Sequence, residues 1–213
     1  MTFFFDTEFT GLHKDTTLIS IGITNFEGSR VFYAELTDYD IEQVDDWIRE
    51  NVINNLILID KDDSYCEYIS DTKSIDGLNI PETLEDVCLV KGNKEFVRNK
   101  LIAWFTKCMA SNNDTIVQMV SDVSHYDFVL FIDLFGGAMD LPEWICPACY
   151  DINQEIAKHN NVTPMEAFNI SREGLITNSQ FTDLSMKHNA LFDAVVIGCI
   201  FHRYNIKNYI DRG

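Results

Sequence analysis

Two carboxylates, Asp6 and Glu8, are separated by one residue directly after the apolar run Phe3-Phe4-Phe5. The run predicts a buried strand, and residues i and i+2 of a strand point to the same face. Asp6 and Glu8 are therefore expected side by side, where two like charges repel each other. Oxygen ligands placed in this way suit a hard divalent cation. An acidic turn after a strand explains this short pattern equally well on its own.

Two later segments could complete such a site. Asp127 opens a predicted apolar helix that follows a predicted buried strand, and Asp122 competes with it because metal ligands often lie just past a strand. We favour Asp127. His188 and Asp193 are five residues apart near the start of the last predicted helix, which is about one and a half helical turns. We therefore expect His188 in the loop or first turn, from which it can reach over the site.

The elements that must position these residues follow from apolar periodicity and from turn signals. The pattern predicts strands over the first residues and over 17–25, 30–35 and 114–120, and helices over 38–51, 92–110, 125–135, 151–160 and 185–204. Residues 164–174 are expected to be irregular or briefly helical. Residues 60–90 are rich in loop signals and are interpreted as an insertion outside the core. This order predicts one mixed α/β domain over residues 1–213.

Composition narrows the class of protein. The chain has 213 residues, of which 46% are hydrophobic, and a net charge of −18. Such a charge argues against a protein that coats nucleic acid, but not against an enzyme that grips a few nucleotides at a cation-filled site. No segment is long and apolar enough to span a membrane, and no signal peptide is expected. We therefore expect a cytoplasmic protein whose 6 cysteines are reduced.

The three segments together resemble the DEDD superfamily of 3′–5′ exonucleases, in the subgroup with histidine in its last motif. The stretch from Asp6 to Leu12 (Asp-Thr-Glu-Phe-Thr-Gly-Leu) matches the first motif, and His188-x4-Asp193 matches the third. Tyr126-Asp127, which opens an apolar helix, is similar to the second, and this similarity favours Asp127 over Asp122. The stretch Asp46–Val52 and the region around Tyr126 look more like the small bacterial and phage exoribonuclease family that includes mycobacterial RNase AS. The resemblance implies a ribonuclease-H-like fold, a mixed sheet flanked by helices.

The resemblance also implies a chemistry that suits these residues. Hydrolysis of a phosphodiester needs a water nucleophile and stabilised charge on the phosphoryl and leaving oxygens, which two cations about 4 Å apart supply. Asp6, Glu8, Asp127 and Asp193 would hold two Mg²⁺ ions, with Mn²⁺ as the alternative. His188 would be the general base, because the unperturbed pKa of histidine lies near neutrality.

The expected function is therefore a metal-dependent 3′–5′ exonuclease that releases nucleoside 5′-monophosphates. Single-stranded RNA is favoured as the substrate. Single-stranded DNA, short oligonucleotides, small phosphodiesters and a non-catalytic relative that binds a nucleic-acid end remain alternatives. The resemblance places Thr10, Gly11 and Leu12 against the terminal nucleotide, and a homodimer, which relatives often form, is left open.

Several other side chains have weaker signals. Cys146 and Cys149 are interpreted as two ordinary cysteines around a turn, since no second pair stands at the spacing of a zinc site. The three tryptophans at positions 47, 104 and 144 are expected in the core. His13 and Lys14 are candidate phosphate contacts, and His125 either lines the substrate groove or caps its helix.

Overall fold

A seven-stranded mixed sheet forms the centre of the protein in a computed structural model, which describes residues 1–70, 75, 84–112, 114–175 and 186–204. The strands are β1 (Thr2–Phe9), β2 (Leu18–Asn25), β3 (Arg30–Leu36), β4 (Tyr65–Ile69), β5 (Asp86–Gly92), β6 (Gln118–Ser121) and β7 (Tyr150–Asp151). Their order across the sheet is β4-β5-β3-β2-β1-β6-β7. β1, β2 and β3 are antiparallel, as expected for consecutive hairpins, whereas β6 pairs with β1 in parallel.

Helices cover both faces of the sheet. They are α1 (Asp46–Asn51), α2 (Lys94–Asn112), α3 (Ser124–Phe135), α4 (Ile152–Asn160), α5 (Pro164–Phe168) and α6 (Ala190–Arg203), with short 3-10 helices at Ile41–Gln43, Ile53–Asn55 and Glu173–Leu175. α2 and α3 lie on one face, and α4 and α6 lie on the other. The predicted α/β mixed sheet flanked by helices is confirmed. None of the helices described is long and apolar enough to cross a membrane.

The aromatic run at the start of β1 joins the two layers of the core. Phe3, Phe4 and Phe5 are all fully buried. Phe3 faces α2, with its ring centroid 5.2 Å from that of Trp104, whereas Phe4 faces α6, 5.0 Å from Phe201. Alternation along the strand thus sends neighbouring rings into opposite layers. Burial on both faces fixes the register of β1, and with it the faces on which its carboxylates emerge.

The region 38–51 is not the single helix that its apolar spacing predicts. A 3-10 helix capped by Asp40 ends at Gln43, and α1 starts again after Asp45, whose side chain accepts a hydrogen bond from the backbone N–H of Ile48. Two capping aspartates five residues apart each satisfy the exposed N–H groups of a separate helical start. α1 is therefore short, and its orientation is set by Asp45.

The interpretation of residues 60–90 as an excursion was wrong for two parts of that range. β4 and β5 belong to the sheet, and β5 lies between β3 and β4 with Val87, Cys88 and Val90 fully buried. A short apolar strand was hidden among the Gly, Pro, Ser and Asp residues around it. Residues 71–74 and 76–83 lie outside the described part, and the insertion as such stays a prediction.

Helix boundaries elsewhere were close to expectation. α3 ends at Phe135 and is closed by Gly136, whose φ of 109° is in the region that favours glycine. α6 begins at Ala190 rather than at 185, a residue outside the described part. Trp104 is fully buried and Trp144 packs against the core, as expected.

Candidate active site

The C-terminal half of β1 contributes side chains to both faces of the sheet. Asp6 and Glu8 follow Phe4 on the face covered by α6, while Thr7 lies on the opposite face and donates a hydrogen bond of 2.6 Å to Asp127 Oδ1. Asp127 is in the first turn of α3 and is 2% exposed. β1 thus supplies two carboxylates and orients a third, which belongs to α3.

A glycine brings α6 close to these carboxylates. Gly22 of β2 pairs with Asp6 of β1, and a Cβ built on Gly22 would lie 2.2 Å from the backbone nitrogen of Leu191. Only a residue without a side chain allows the first turn of α6 to touch the sheet here. The helix therefore starts directly beside Asp6, and Asp193, in its first turn, projects toward the end of β1.

His188 lies in the turn before α6, as its spacing from Asp193 predicts. Asn189 caps the helix by accepting hydrogen bonds from the backbone N–H groups of Leu191 and Phe192. His188 has a φ of 65°, and its backbone N–H donates to Asp193 Oδ2 over 2.9 Å. This left-handed turn folds His188 back over the helix start. The backbone bond to Asp193 then fixes the two residues relative to each other.

The side chains of three residues come together as a group that could hold a metal ion. Glu8, His188 and Asp193 each offer one ligand atom, and these atoms all lie within 4.8 Å of one another. Asp6 and Asp127 adjoin them in the same cavity. All five predicted catalytic residues thus border one space.

The carboxylates are strongly destabilised as anions in the absence of a cation. Burial raises the pKa of Asp6, with further increases from the charges of Asp127, Glu8 and Asp193. Burial followed by the charges of Asp193 and Asp127 raises the pKa of Glu8. For Asp127, burial raises the pKa to about 7 in spite of hydrogen bonds from Ser121 and Thr7.

This donor set fits divalent cations. Among the described side chains, no lysine or arginine forms an ion pair with Asp6, Glu8 or Asp127. Clustered carboxylate oxygens without a cationic partner are the environment that Mg²⁺ and Mn²⁺ occupy in proteins. One imidazole among several carboxylates leaves the set dominated by oxygen.

Asp122 occupies a different environment from Asp127. Its carboxylate forms an ion pair with Arg172, whose guanidinium also donates to Asn153 and to the backbone carbonyls of Ala167 and Ile170. Arg172 thereby ties the segment after α5 to the loop between β6 and α3. The carboxylate of Asp122 already has a cationic partner, which supports the preference for Asp127 as a ligand.

Two cavities meet at the carboxylates. The first has a volume of about 420 Å³, and its lining includes the five candidate catalytic residues and three large exposed apolar side chains, Leu12, Trp47 and Phe168. These three are 74%, 54% and 56% exposed. The second, of about 580 Å³, shares Asp6, His188, Asp193 and Phe168 with the first and extends to Arg172 and Lys187. Large exposed apolar groups beside a polar cluster are typical of a ligand site.

Trp47 was predicted in the core, and that prediction was wrong. α1 is capped by Asp45, so Ile48 and Val52, four residues apart, take its buried face. Trp47 then points to the cavity, with its ring 5.1 Å from that of His188 in an edge-on arrangement. Phe168 and Arg172 were also missed as site residues. The capping signal of Asp45 could have located Trp47, whereas no local pattern marks Phe168 or Arg172.

The three residues expected at the terminal nucleotide have different surroundings. Gly11 and Leu12 line the first cavity. Thr10 is 2% exposed and does not border it; its hydroxyl bonds to Gln43 and accepts the backbone N–H of Thr17 at 2.9 Å. Thr10 thus holds the loop that presents Leu12. Thr10 therefore does not lie where a nucleotide in the first cavity would contact its side chain.

The remaining candidates lie outside both cavities. His125 is exposed beside Tyr126, and His13 and Lys14 are exposed in the loop after Leu12. Cys146 and Cys149 are free and half-buried. Burial raises the pKa of the Cys149 thiol, which disfavours the reactive thiolate.

Taken together, the sheet order and the helical layers define a ribonuclease-H-like fold with an acidic cluster at the end of β1. No protein-family model matches the sequence, and no curated protein sequence matches it. The fold is similar to the crystallographic structure of the nuclease domain of 3′hExo, a DEDDh family member, bound to rAMP, with a TM-score of 0.52. The similarity covers 99% of this chain and 92% of that chain at 12% sequence identity, and at that identity it establishes the fold.

Proposed function

We propose that this protein is a metal-dependent 3′–5′ exonuclease that removes nucleoside 5′-monophosphates from the 3′ end of single-stranded RNA. The observation that carries the proposal is the convergence of Glu8, His188 and Asp193 within 4.8 Å, at a cavity that Asp6 and Asp127 also line. The three sequence motifs predict these same five residues. A fold shared with a DEDDh nuclease domain adds support.

The residues divide the work of hydrolysis among them. Asp6, Glu8, Asp127 and Asp193 would hold two divalent cations, which when bound supply positive charge to the phosphoryl oxygens and to the leaving 3′ oxygen. An imidazole nitrogen of His188 accepts the proton of the attacking water. The water oxygen bonds to phosphorus and the bond from phosphorus to the 3′ oxygen breaks. The leaving 3′ oxygen takes up a proton from solvent, and the shortened strand leaves with a 3′ hydroxyl.

The walls of the first cavity suit a terminal nucleotide. Bases stack on aromatic faces without regard to sequence. Trp47 and Phe168 offer such faces around the acidic cluster, and Leu12 adds an exposed apolar surface beside them. RNA is favoured over DNA by the narrower resemblance to the RNase AS family, and the neighbouring structure holds rAMP, a ribonucleotide.

The direct test uses RNA and DNA strands of one sequence, labelled at the 5′ end and incubated with Mg²⁺. We expect a ladder that shortens from the 3′ end of the RNA, a slower ladder from the DNA, and none with a chelator. A strand blocked by a 3′ phosphate should be resistant. A DNA ladder faster than the RNA ladder would assign the substrate to DNA. No ladder from either strand would refute the nuclease function.

A further inference from the structure

Few cations are available where a nucleic-acid strand would approach the site. Of the described lysines and arginines, Arg172 and Lys187 are the two that border either cavity. The guanidinium of Arg172 is already committed to Asp122, Asn153 and two backbone carbonyls. Within the described residues, the cavities therefore contain two cations, one of which is neutralised by its own ion pair.

The rim of the first cavity is strongly acidic. The segment from Asp38 to Glu50 contains six acidic residues and one basic residue. It forms one wall of the cavity through Asp45 and Trp47, and Asp46 and Glu50 on the same helix are exposed. The chain as a whole has a net charge of −18.

This charge distribution opposes the usual energetics of nucleic-acid binding. Affinity for long strands comes mainly from neutralising phosphates with lysine and arginine, which releases counterions. Cations held by the buried carboxylates would neutralise only the charges of those carboxylates, and the exposed rim would stay negative. Each phosphate beyond the ones inside the cavities would then lie in a repulsive field, which physiological salt screens over about 8 Å.

We propose that the site takes short oligonucleotides and disfavours long strands by electrostatic repulsion. The inference rests on the exonuclease function proposed above and adds a substrate class to it. Cavities of about 420 and 580 Å³ are each the size of a site for one small ligand. Together they have room for on the order of two nucleotides. Longer substrates gain no further contact there and meet the acidic rim instead.

A length series tests the proposal. We would compare kcat/KM for RNA of one composition at about 2, 3, 5, 10 and 20 nucleotides, in about 25 and about 300 mM NaCl at constant Mg²⁺. We expect the longest strand to be hydrolysed about fivefold less efficiently than the trimer in low salt, and expect high salt to narrow the gap. A kcat/KM that rises with length and falls with salt, as counterion release requires, would overturn the proposal.

A matched pair of double variants locates the effect. Asp46→Asn with Glu50→Gln removes two exposed charges from α1, beside the cavity. Glu27→Gln with Glu85→Gln removes two exposed charges near the start of β3 and β5, at the opposite end of the sheet. We expect the first pair to raise kcat/KM of the longest strand about threefold in low salt and the second to leave it unchanged. Equal responses would contradict a local repulsion.

Binding separates failure of this inference from failure of the nuclease function. Fluorescence anisotropy with 5′-labelled oligonucleotides in Ca²⁺ gives Kd for every length. If no length is hydrolysed, the nuclease function fails. The preference for short oligonucleotides is still supported if affinity does not increase with length and if the affinity for long strands increases with salt. If hydrolysis occurs but Kd tightens steadily with length and weakens with salt, the nuclease stands and the length preference is wrong.

Discussion

The candidate site has a floor, formed by Asp6, Glu8, Asp127, His188 and Asp193, and a rim, formed by the other residues around the two cavities. The negative charges of the floor and of the rim are compensated in different ways. On the floor, Asp6 and Asp127 face other carboxylates, and no described lysine or arginine pairs with either of them. On the rim, Asp122 is five residues from Asp127 in sequence but is paired with Arg172. Of these two neighbouring acids, Asp122 has its charge compensated by a cationic side chain of the protein, whereas Asp127 does not. Under the proposed function, the difference indicates which carboxylates would bind a cation from solution.

The floor holds the residues proposed for catalysis, and the rim holds those proposed to position the substrate. The floor consists of charged groups held by backbone geometry: the alternation of β1, the glycine contact with α6 and the turn at His188. Besides the acidic segment from Asp38 to Glu50, the rim consists of the apolar side chains of Leu12 and Phe168 and of the segment after α5, which the hydrogen bonds of Arg172 fix. Variants of the floor should therefore lower kcat, whereas variants of the rim should act mainly on KM.

The largest expected effect distinguishes the two aspartates. Asp127→Asn should lower kcat on the order of 10³-fold, because it removes a proposed cation ligand from the floor. Asp122→Asn should retain most of the activity, since an amide oxygen can still accept from Arg172. Steady-state kinetics on RNA with Mg²⁺ measures both. The opposite ranking would move the ligand assignment to Asp122.

The next effect concerns the proton acceptor. His188→Ala should lower kcat by about 10²- to 10³-fold and should flatten the acid limb of the pH–rate profile, which reports the base. His125→Ala is the matched control, because His125 is an exposed histidine outside both cavities. An unchanged acid limb in the His188 variant would mean that another group takes the proton.

A smaller effect is expected on the rim. Trp47→Ala should raise KM about tenfold with little change in kcat, since stacking of a base on an aromatic ring contributes about 1–3 kcal/mol. Ile41→Ala, at an apolar residue that is 59% exposed but lies outside the cavity, provides the control. If both substitutions change KM alike, Trp47 does not contact the substrate.

Local sequence patterns predicted the parts of the floor whose geometry is local. Period-two alternation places Asp6 beside Glu8, and the spacing between His188 and Asp193 requires a turn before the helix; both follow from chain geometry alone. The three aromatic residues of β1 also locate the centre of the sheet. These features follow from local chain geometry, whereas the approach of Asp127 to β1 and of α6 to Gly22 depends on contacts between distant segments.

The rim was mostly missed because it depends on contacts between distant segments. Phe168 borders the site in a segment that Arg172 joins to Asp122, which is 50 residues away in sequence. β5 was overlooked for a related reason, since its burial comes from pairing with β3, more than fifty residues earlier. Tertiary pairing of this kind leaves no periodic signal, and the loop residues around it dominated the interpretation.

The smallest effect tests the electrostatics of the floor without substrate. The pKa values of Asp6, Glu8 and Asp127 are raised in the folded protein, chiefly by burial. The folded state therefore binds more protons than the unfolded state between about pH 4 and pH 7, so stability falls as pH rises through that range. In chelator, we expect Tm to decrease from pH 5 to pH 8 as these carboxyls ionise, and we expect Mg²⁺ to restore it.

Asp6→Asn sharpens this test because it removes one charge from the cluster and keeps the size of the side chain. In chelator at about pH 8 the variant should melt about 2–4 °C above the wild type, the shift expected from ~1 kcal/mol of relieved repulsion in a chain of this length. With Mg²⁺ the order should reverse, because the wild type gains binding energy that the variant cannot. Glu27→Gln, far from the cluster, should shift neither value. A variant less stable than the wild type in both buffers would mean that the floor is held by packing, and that repulsion among its carboxylates contributes little.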